Sequence, residues 1–421
     1  MNPSDHLFRH EAGRMVAALT RVFGMQNLEL AEDVVQDAFC RALEVWKLRG
    51  VPDNPRAWLM KTARNRALDV LRRERTARTF APEYGRLLHT EWTASQAVRE
   101  VFESTDVPDD QLRMMFSCCT GRLPEAAQVM LVLALVGGFG VREIAAAFVS
   151  PHAAVEKRLS RAKRTLKESG PLFDVADAAD FANRLPAVQR ALYLIFSEGY
   201  HGASATEVVR ADLCHEAIRL TSLLVEHPLA ATPSTQALLA LMYLDAARLA
   251  GRLDPSGNLT SLFDQDRRRW DRAMIAQGIA WLEHSATGSA LTRYHVEAAI
   301  AAVHASAPSI ETTDWAAIVA LYDMLMRIAP SPIVALNRAI AVAQVDGAQR
   351  GLEAIDAIAQ RQRLEAYPFY YAARAELELR RQNDAVARQH FERALAFARN
   401  SIEQRFFENR LATLAAQPSP T

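Results

Sequence analysis

Residues 171–421 lack any obvious strand pattern, and nothing in the rest of the 421-residue sequence competes with helical spacing. That absence sets aside sheet-based folds and leads us to expect an all-α protein. Cysteine is scarce: Cys40, Cys118, Cys119 and Cys214 form no CxxC spacing and no disulfide framework. Adjacent Cys118 and Cys119 chelate poorly and have no second pair, so they read as small buried side chains. No metal or cofactor is expected, and a reducing cytoplasm fits best. A signal peptide's apolar stretch is missing from the N-terminus. The uncharged run Ala126 to Val141 is too short for a membrane span and carries Gly137, Gly138 and Gly140. Net charge is also lacking: 49 basic residues balance 49 acidic ones, so the total says nothing about partners. The distribution says more. All five lysines (47, 61, 157, 163 and 167) precede residue 168, and 171–421 carries 24 basic against 28 acidic residues.

The most informative stretch is Asn54 to Arg78, NPRAWLMKTARNRALDVLRRERTAR, with eight basic residues against Asp69 and Glu74. Asn54-Pro55 signals a helix start. Ala57, Trp58, Met60, Ala63, Ala67, Leu68, Val70 and Leu71 follow at helical spacing, and the cations mostly lie off that stripe. One buried face, one cationic face and an aromatic near the start suit a negatively charged polymer. Upstream, AEDVVQDAF from Ala31 opens a second amphipathic helix, with Val34, Val35, Ala38, Phe39, Ala42 and Leu43 expected inward. Its acids also suit the positive end of a helix dipole. A further helix is expected over 7–23, making a compact bundle with 29–46 and 57–75.

Residues 79–108, broken by Pro82, Gly85 and Pro108, read as a linker. Asp109 and Asp110 then look like a cap for the helix that follows. Pro124 through Leu135, Val141 to Phe148 and His152 to Glu168 are expected as three helices, with Ser150-Pro151 starting the last. The apolar spacing of Ile144, Ala145, Phe148, Val155, Leu159 and Leu166 is that of a helix-turn-helix. A helix-turn-helix sets the start of its second helix against base edges, so His152, Ala153, Glu156 and Lys157 are candidates for reading sequence. Arg158, Arg161 and Arg164 are candidates for gripping phosphates.

AEDVVQDAF followed by NPRAWLMKTARNRALDVLRRER resembles region 2 of the sigma-70 family in its extracytoplasmic-function branch. GFGVREIAAAFVSPHAAVEKRLSRAKRTL resembles region 4, apart from Val149–Ala153 in place of the commoner glycine- and serine-rich turn and an acid, Glu156, in the recognition helix. The resemblance implies binding to core RNA polymerase through Asp33, Gln36 and Asp37. It implies that Trp58, Lys61, Arg64, Asn65, Arg66, Arg72 and Arg73 hold and melt the minus-ten element of promoter DNA. The residues from His152 to Arg164 named above would read the minus-thirty-five element. The implied domains are region 2 at 1–80, a linker at 81–108, region 4 at 109–170 and an extension at 171–421.

Ala341 and Ala375, and Gly351 and Ala385, are each 34 residues apart, the tetratricopeptide period. Ala387, Phe391, Ala394 and Leu395 fit that repeat's second helix. A stack of helical hairpins with a surface for a protein partner is therefore expected, as a module that regulates the rest in cis or recruits a partner. Glu198, His201, His215, Glu216, Asp264, Asp266, Trp270 and Asp271 could supply a carboxylate–histidine site, yet no catalytic motif surrounds them. SLFDQDRRRWD reads instead as a helix start and EGYH (198–201) as a turn, and no enzyme is expected. Two other readings remain: a stand-alone helix-turn-helix regulator with a sensor domain, and a helical scaffold that binds no DNA.

Overall fold

A computed structural model of the chain describes residues 3–79, 107–148, 150–168, 178–201, 210–288 and 290–416. Every regular element among the described residues is a helix, and the sole strand-like feature is the isolated bridge between Leu253 and Leu259. The chain divides into two compact units, Met1–Ala145 with Ser150–Leu194, and Ala146–Val149 with Ile195–Thr421.

Unit 1 begins with α1 (Pro3–Phe23), α2 (Leu28–Arg49) and α3 (Pro55–Thr79). Gly24 and Gly50, at φ 81° and 79°, make the turns at the end of α1 and of α2 in a region that other residues enter at a cost. Asn54 starts α3 as expected, its Oδ1 accepting the Ala57 amide at 3.0 Å. Buried Met15, Leu19, Leu28, Val34, Ala63 and Ala67 close the bundle. Two inward assignments fail. Ala57 is exposed while Leu59 is fully buried, and Leu43 is 59% exposed. The buried line of α3 runs 59, 63, 67, a four-residue step that turns the helix away from Ala57.

α4 (Val107–Cys118) begins before Asp109–Asp110, which therefore do not cap it. Asp110 is 1% exposed inside the helix and pairs with Arg21 of α1 at 3.2 Å. Cys118 and Cys119 are buried, and burial pushes the Cys119 thiol up to about 12, which suppresses the thiolate and fits a packing role. α5 (Glu125–Leu131) runs on as a π-turn over Val132–Val136, so the expected helix to Leu135 is wider in its last turn. Gly13 of α1 sits against that turn, where a Cβ would run into the Val136 carbonyl. α6 (Val141–Ala147) and α7 (His152–Lys167) complete the hairpin, and α7 starts at Pro151. α8 (Ala178–His201) is continuous through EGYH, which is its last turn and not a loop. Its early residues belong to unit 1: Phe181 packs on Phe116 with ring centroids 4.1 Å apart, and Arg190 donates to Glu125 at 2.7 Å. The compact unit thus extends past the expected boundary at residue 170.

Unit 2 continues with α9 (Ala211–Glu226), α10 (Pro233–Ala246), α11 (Arg272–Ser285), α12 (Arg293–Ser306) and α13 (Trp315–Ile328). α14 (Pro332–Val345), α15 (Ala348–Asp356), α16 (Pro368–Arg380), α17 (Asp384–Ala396) and α18 (Ser401–Ala416) follow. Starts are encoded locally. Thr232, Asp271, Asp314 and Ser331 accept amides of the first turn, and Pro233, Pro332 and Pro368 occupy it. α10 is buried nearly all round and packs on α9, α11 and α12. Gly278 lets α11 come close, since a Cβ there would stand 2.6 Å from Leu244 Cγ. From α14 to α18 each helix packs on the next, around Phe391 and Phe407, both fully buried. Ala341 and Ala375 are both buried, but Gly351 is buried where Ala385 is exposed, so only the first of the two 34-residue pairs shares its burial.

Candidate nucleic-acid interface

α2 and α3 carry opposite charges on adjoining faces. On α2, buried Ala31, Val34, Val35, Ala38 and Ala42 leave Asp33, Gln36 and Asp37 exposed together, followed by exposed Cys40 and Leu43. A mixed acidic and apolar stripe of this kind suits a protein partner, since exposed leucines cost little once covered. On α3, Lys61 and Asn65 are exposed one turn apart, while Arg64 and Arg66 are half-buried. Arg72 and Arg73 lie on the helix, but their side chains fall outside the described residues. Trp58 is half-buried, its ring edge-on to buried Trp46 with centroids 5.6 Å apart. That contact fixes the indole at the start of α3 and leaves part of it for stacking.

Two residues assigned to different partners are joined here. Arg66 Nε donates to Asp37 Oδ2 at 2.6 Å, linking α3 to α2. Arg56 is likewise taken, pairing with buried Glu11 at 2.8 Å. Spacing along one helix carries no signal of either pair, because each partner lies on another helix.

α7 is sharply two-sided. Val155, Leu159, Ala162 and Leu166 are buried at steps of four and three. All seven candidates, His152, Ala153, Glu156, Lys157, Arg158, Arg161 and Arg164, are exposed on the remaining surface. Glu156 lies within 3.9 Å of His152 one turn earlier, a contact between exposed groups that adds little. Lys163 and Lys167 stand apart from this face. Lys163 Nζ donates to both carboxylate oxygens of Glu32, at 2.6 and 2.8 Å, and Lys167 pairs with Glu29 at 2.5 Å. The Lys167 hydrogen bond holds the Glu29 carboxyl below its ordinary range. The acidic start of α2 therefore grips the inner edge of α7, a role its sequence position on a helix N-terminus does not disclose.

Several of the carboxylates singled out in unit 2 are spent on arginines and helix starts. Asp266 accepts the Arg268 amide at 3.0 Å and its guanidinium at 2.9 Å, while Asp271 accepts the Ala273 and Met274 amides and starts α11. Glu216 pairs with Arg219, Asp264 with Arg410, and His215 is exposed. No group of three His, Cys, Asp or Glu side chains among the described residues could hold a metal ion. None of the described helices is long and apolar enough to cross a membrane.

Comparison with known proteins divides the chain in a similar way. Residues 7–77 match the sigma-70 region 2 family, and residues 184–286 match a family of unknown function, DUF6596. An uncharacterized protein of Rhizobium meliloti (strain 1021) is 39% identical over 404 residues, which cover 96% of this chain and 94% of that one. No solved structure matches.

Proposed function

We propose that this chain, which belongs to the sigma-70 family through its region 2 domain and to one family with the Rhizobium protein along nearly its whole length, is a promoter-specificity subunit of the extracytoplasmic-function type. It binds core RNA polymerase and selects where transcription starts. The observation that carries this reading is the region 2 match over the helices that display the acidic face of α2 and the cationic face of α3. Asp33 and Gln36, with Asp37 once freed from Arg66, would meet the polymerase clamp. Trp58, Lys61, Arg64, Asn65, Arg66, Arg72 and Arg73 would hold the opened minus-ten strand, where stacking contributes about 1–3 kcal/mol per base. α7 would enter the major groove at the minus-thirty-five element, with His152, Ala153, Glu156 and Lys157 at base edges and Arg158, Arg161 and Arg164 on phosphates.

Engaging both elements requires a rearrangement within unit 1. Their centres are about 25 base pairs apart, or about 85 Å of B-DNA. α7 therefore has to leave α2, breaking the Lys163–Glu32 and Lys167–Glu29 pairs. Partly exposed pairs contribute on the order of 1 kcal/mol or less each, so polymerase binding can offset them. The hairpins of α14 to α18 would serve as a tetratricopeptide-like regulatory surface, acting in cis or on a partner.

In vitro transcription with core polymerase and a promoter library tests the reading. Transcripts that need this protein should share two upstream elements, and Asp33→Arg should lower them at least tenfold. Asp33 is the preferred probe because Asp37 is already paired with Arg66. Salt-sensitive duplex binding without any protein-dependent transcript would favour a stand-alone helix-turn-helix regulator.

A further inference from the structure

Unit 2 contains a group of buried hydrogen-bonding atoms that the fold leaves unused. Leu249–Gly251 forms a 3-10 turn that places Arg248 and Arg252 at its two ends. The Arg248 guanidinium lies 5.2 Å from the Trp270 ring centroid and that of Arg252 lies 4.3 Å from the Tyr200 ring. Each cation thereby lies over an aromatic ring. Tyr200 and Trp270 are only 3% and 2% exposed. Yet Tyr200 Oη, Trp270 Nε1, Arg248 Nε and Arg252 Nε are all buried without a hydrogen-bond partner. Gln265 Oε1 is in the same position, while its Nε2 is used on the Thr260 carbonyl at 3.3 Å.

These atoms are neighbours. Gly251 lets them come close together, since a Cβ there would stand only 3.0 Å from Trp270 Nε1 and 3.5 Å from Gln265 Oε1. Arg252 and Arg248 both lie within electrostatic reach of the His201 imidazole, next in sequence to Tyr200. Charge is poorly balanced. Among the described residues Arg248 has one ion-pair partner, Asp245, at a loose 3.6 Å, and Arg252 feels the same carboxylate without forming an ion pair. Arg267 adds a third cation on Trp270, at 5.1 Å from its ring, but spends its own donors on the His304 and Ala307 carbonyls and on Thr313.

A buried donor with no partner costs roughly 1–3 kcal/mol, and more when charged, so native proteins rarely keep several together without a ligand. We infer that the Arg248–Arg252 turn, with Tyr200 and Trp270, is a binding site for a small oxoanion, a carboxylate or phosphate group of a soluble ligand. The four donors match the acceptor-only oxygens of such a group, and two stacked guanidiniums match its charge and planar fork geometry. Gln265 Oε1, the one acceptor, suits a hydroxyl or amine beside the anionic group. Burial of Tyr200 and Trp270 favours a small ligand over an extended acidic chain. The site lies within 184–286 and is independent of promoter recognition; it makes unit 2 a chemical sensor whether or not unit 1 is a sigma factor.

Isothermal titration of the full chain with inorganic phosphate and, separately, citrate at constant ionic strength tests this. Three variants accompany it: Arg252→Gln, which breaks no ion pair; Trp270→Phe, which keeps the ring and removes the N–H; and Arg268→Gln, which removes an exposed cation. The wild type should bind one of the two anions saturably; phosphate alone identifies a phosphorylated ligand and citrate alone a carboxylate. Arg252→Gln should weaken that binding at least tenfold and Trp270→Phe several-fold, while Arg268→Gln leaves it unchanged. The proposal fails if neither anion binds the wild type saturably, or if Arg252→Gln and Arg268→Gln behave alike.

Discussion

α7 in unit 1 and the segment from Arg248 to Trp270 in unit 2 are both rich in cations, and they use them in opposite ways. On α7, Lys157, Arg158, Arg161 and Arg164 stand in solvent. Between Arg248 and Trp270 every cation is arginine, and Arg248, Arg252 and Arg267 lie on aromatic rings. Exposed cations keep their hydration and attract a polyanion through many weak, screened contacts. Guanidiniums fixed on rings have lost rotational freedom already and discriminate by hydrogen-bond geometry. Lysine, strongly hydrated on a flexible stem, serves the first purpose better than the second. Its confinement to the first 167 residues follows that division.

The largest break in this comparison should come from Arg267→Ala. Arg267 is 5% exposed and donates to two carbonyls and a hydroxyl. Truncation strands those acceptors and should destabilise unit 2 by about 3–5 kcal/mol in denaturant unfolding. Arg161→Ala on the exposed face should stay within about 0.5 kcal/mol of wild type in the same experiment. Equal losses would mean that the two regions do not differ as described.

An intermediate effect is expected from acid. Burial first, then Arg248 and Arg267, push the His304 imidazole from its ordinary 6.5 down to about 3. The unfolded chain takes up a proton below pH 6.5 that the folded chain refuses. His304 therefore contributes its full stability above that pH, and the contribution falls as pH drops toward 3. At pH 5 the loss is about 2 kcal/mol, from about 1.4 kcal/mol per pH unit. Unfolding midpoints between pH 7 and 5 should show it, and His304→Gln should flatten the profile. An unchanged slope in the variant would refute the assignment.

The smallest and most selective effect belongs to α7. Arg158→Gln and Arg161→Gln should each lower the slope of log binding constant against log salt by about 1 on duplex DNA, without changing sequence preference. Gel-shift measurements at several salt concentrations read this directly. A change in preferred sequence would move these two residues from phosphates to base edges.

Much of unit 1 was legible in its sequence because its helices are amphipathic and locally capped. The exposed line of α7 follows from Val155, Leu159, Ala162 and Leu166 alone. Asn54 and Pro55 announce α3 through a hydrogen bond only three residues long. Errors arose where packing fixes the rotation of a helix, as with Leu59 and Ala57, or where a polar residue is matched across helices. Asp110 looks like a cap by position, yet it is buried against Arg21. Asp37 looks free, yet it holds Arg66. In unit 2 the sequence draws attention to carboxylates and histidines with no catalytic motif around them, and gives no sign of Arg248, Arg252, Tyr200 and Gln265. No spacing rule joins Tyr200 to Arg252, because the pairing forms only when α8 and the turn after α10 come together.

The sequence by itself determined the helices, several of their starts, the cationic faces of α3 and α7 and the family that residues 7–77 match. These depend on neighbours within about four positions, where the spacing of side chains sets the geometry. Only the tertiary structure decided which charges remain available. It joined Lys163 to Glu32 and Lys167 to Glu29, spent Arg267 on carbonyls some 40 residues away, and left the donors beside Gly251 without partners. Desolvation and hydrogen-bond completion are properties of a residue's surroundings in space, and a linear spacing does not contain them.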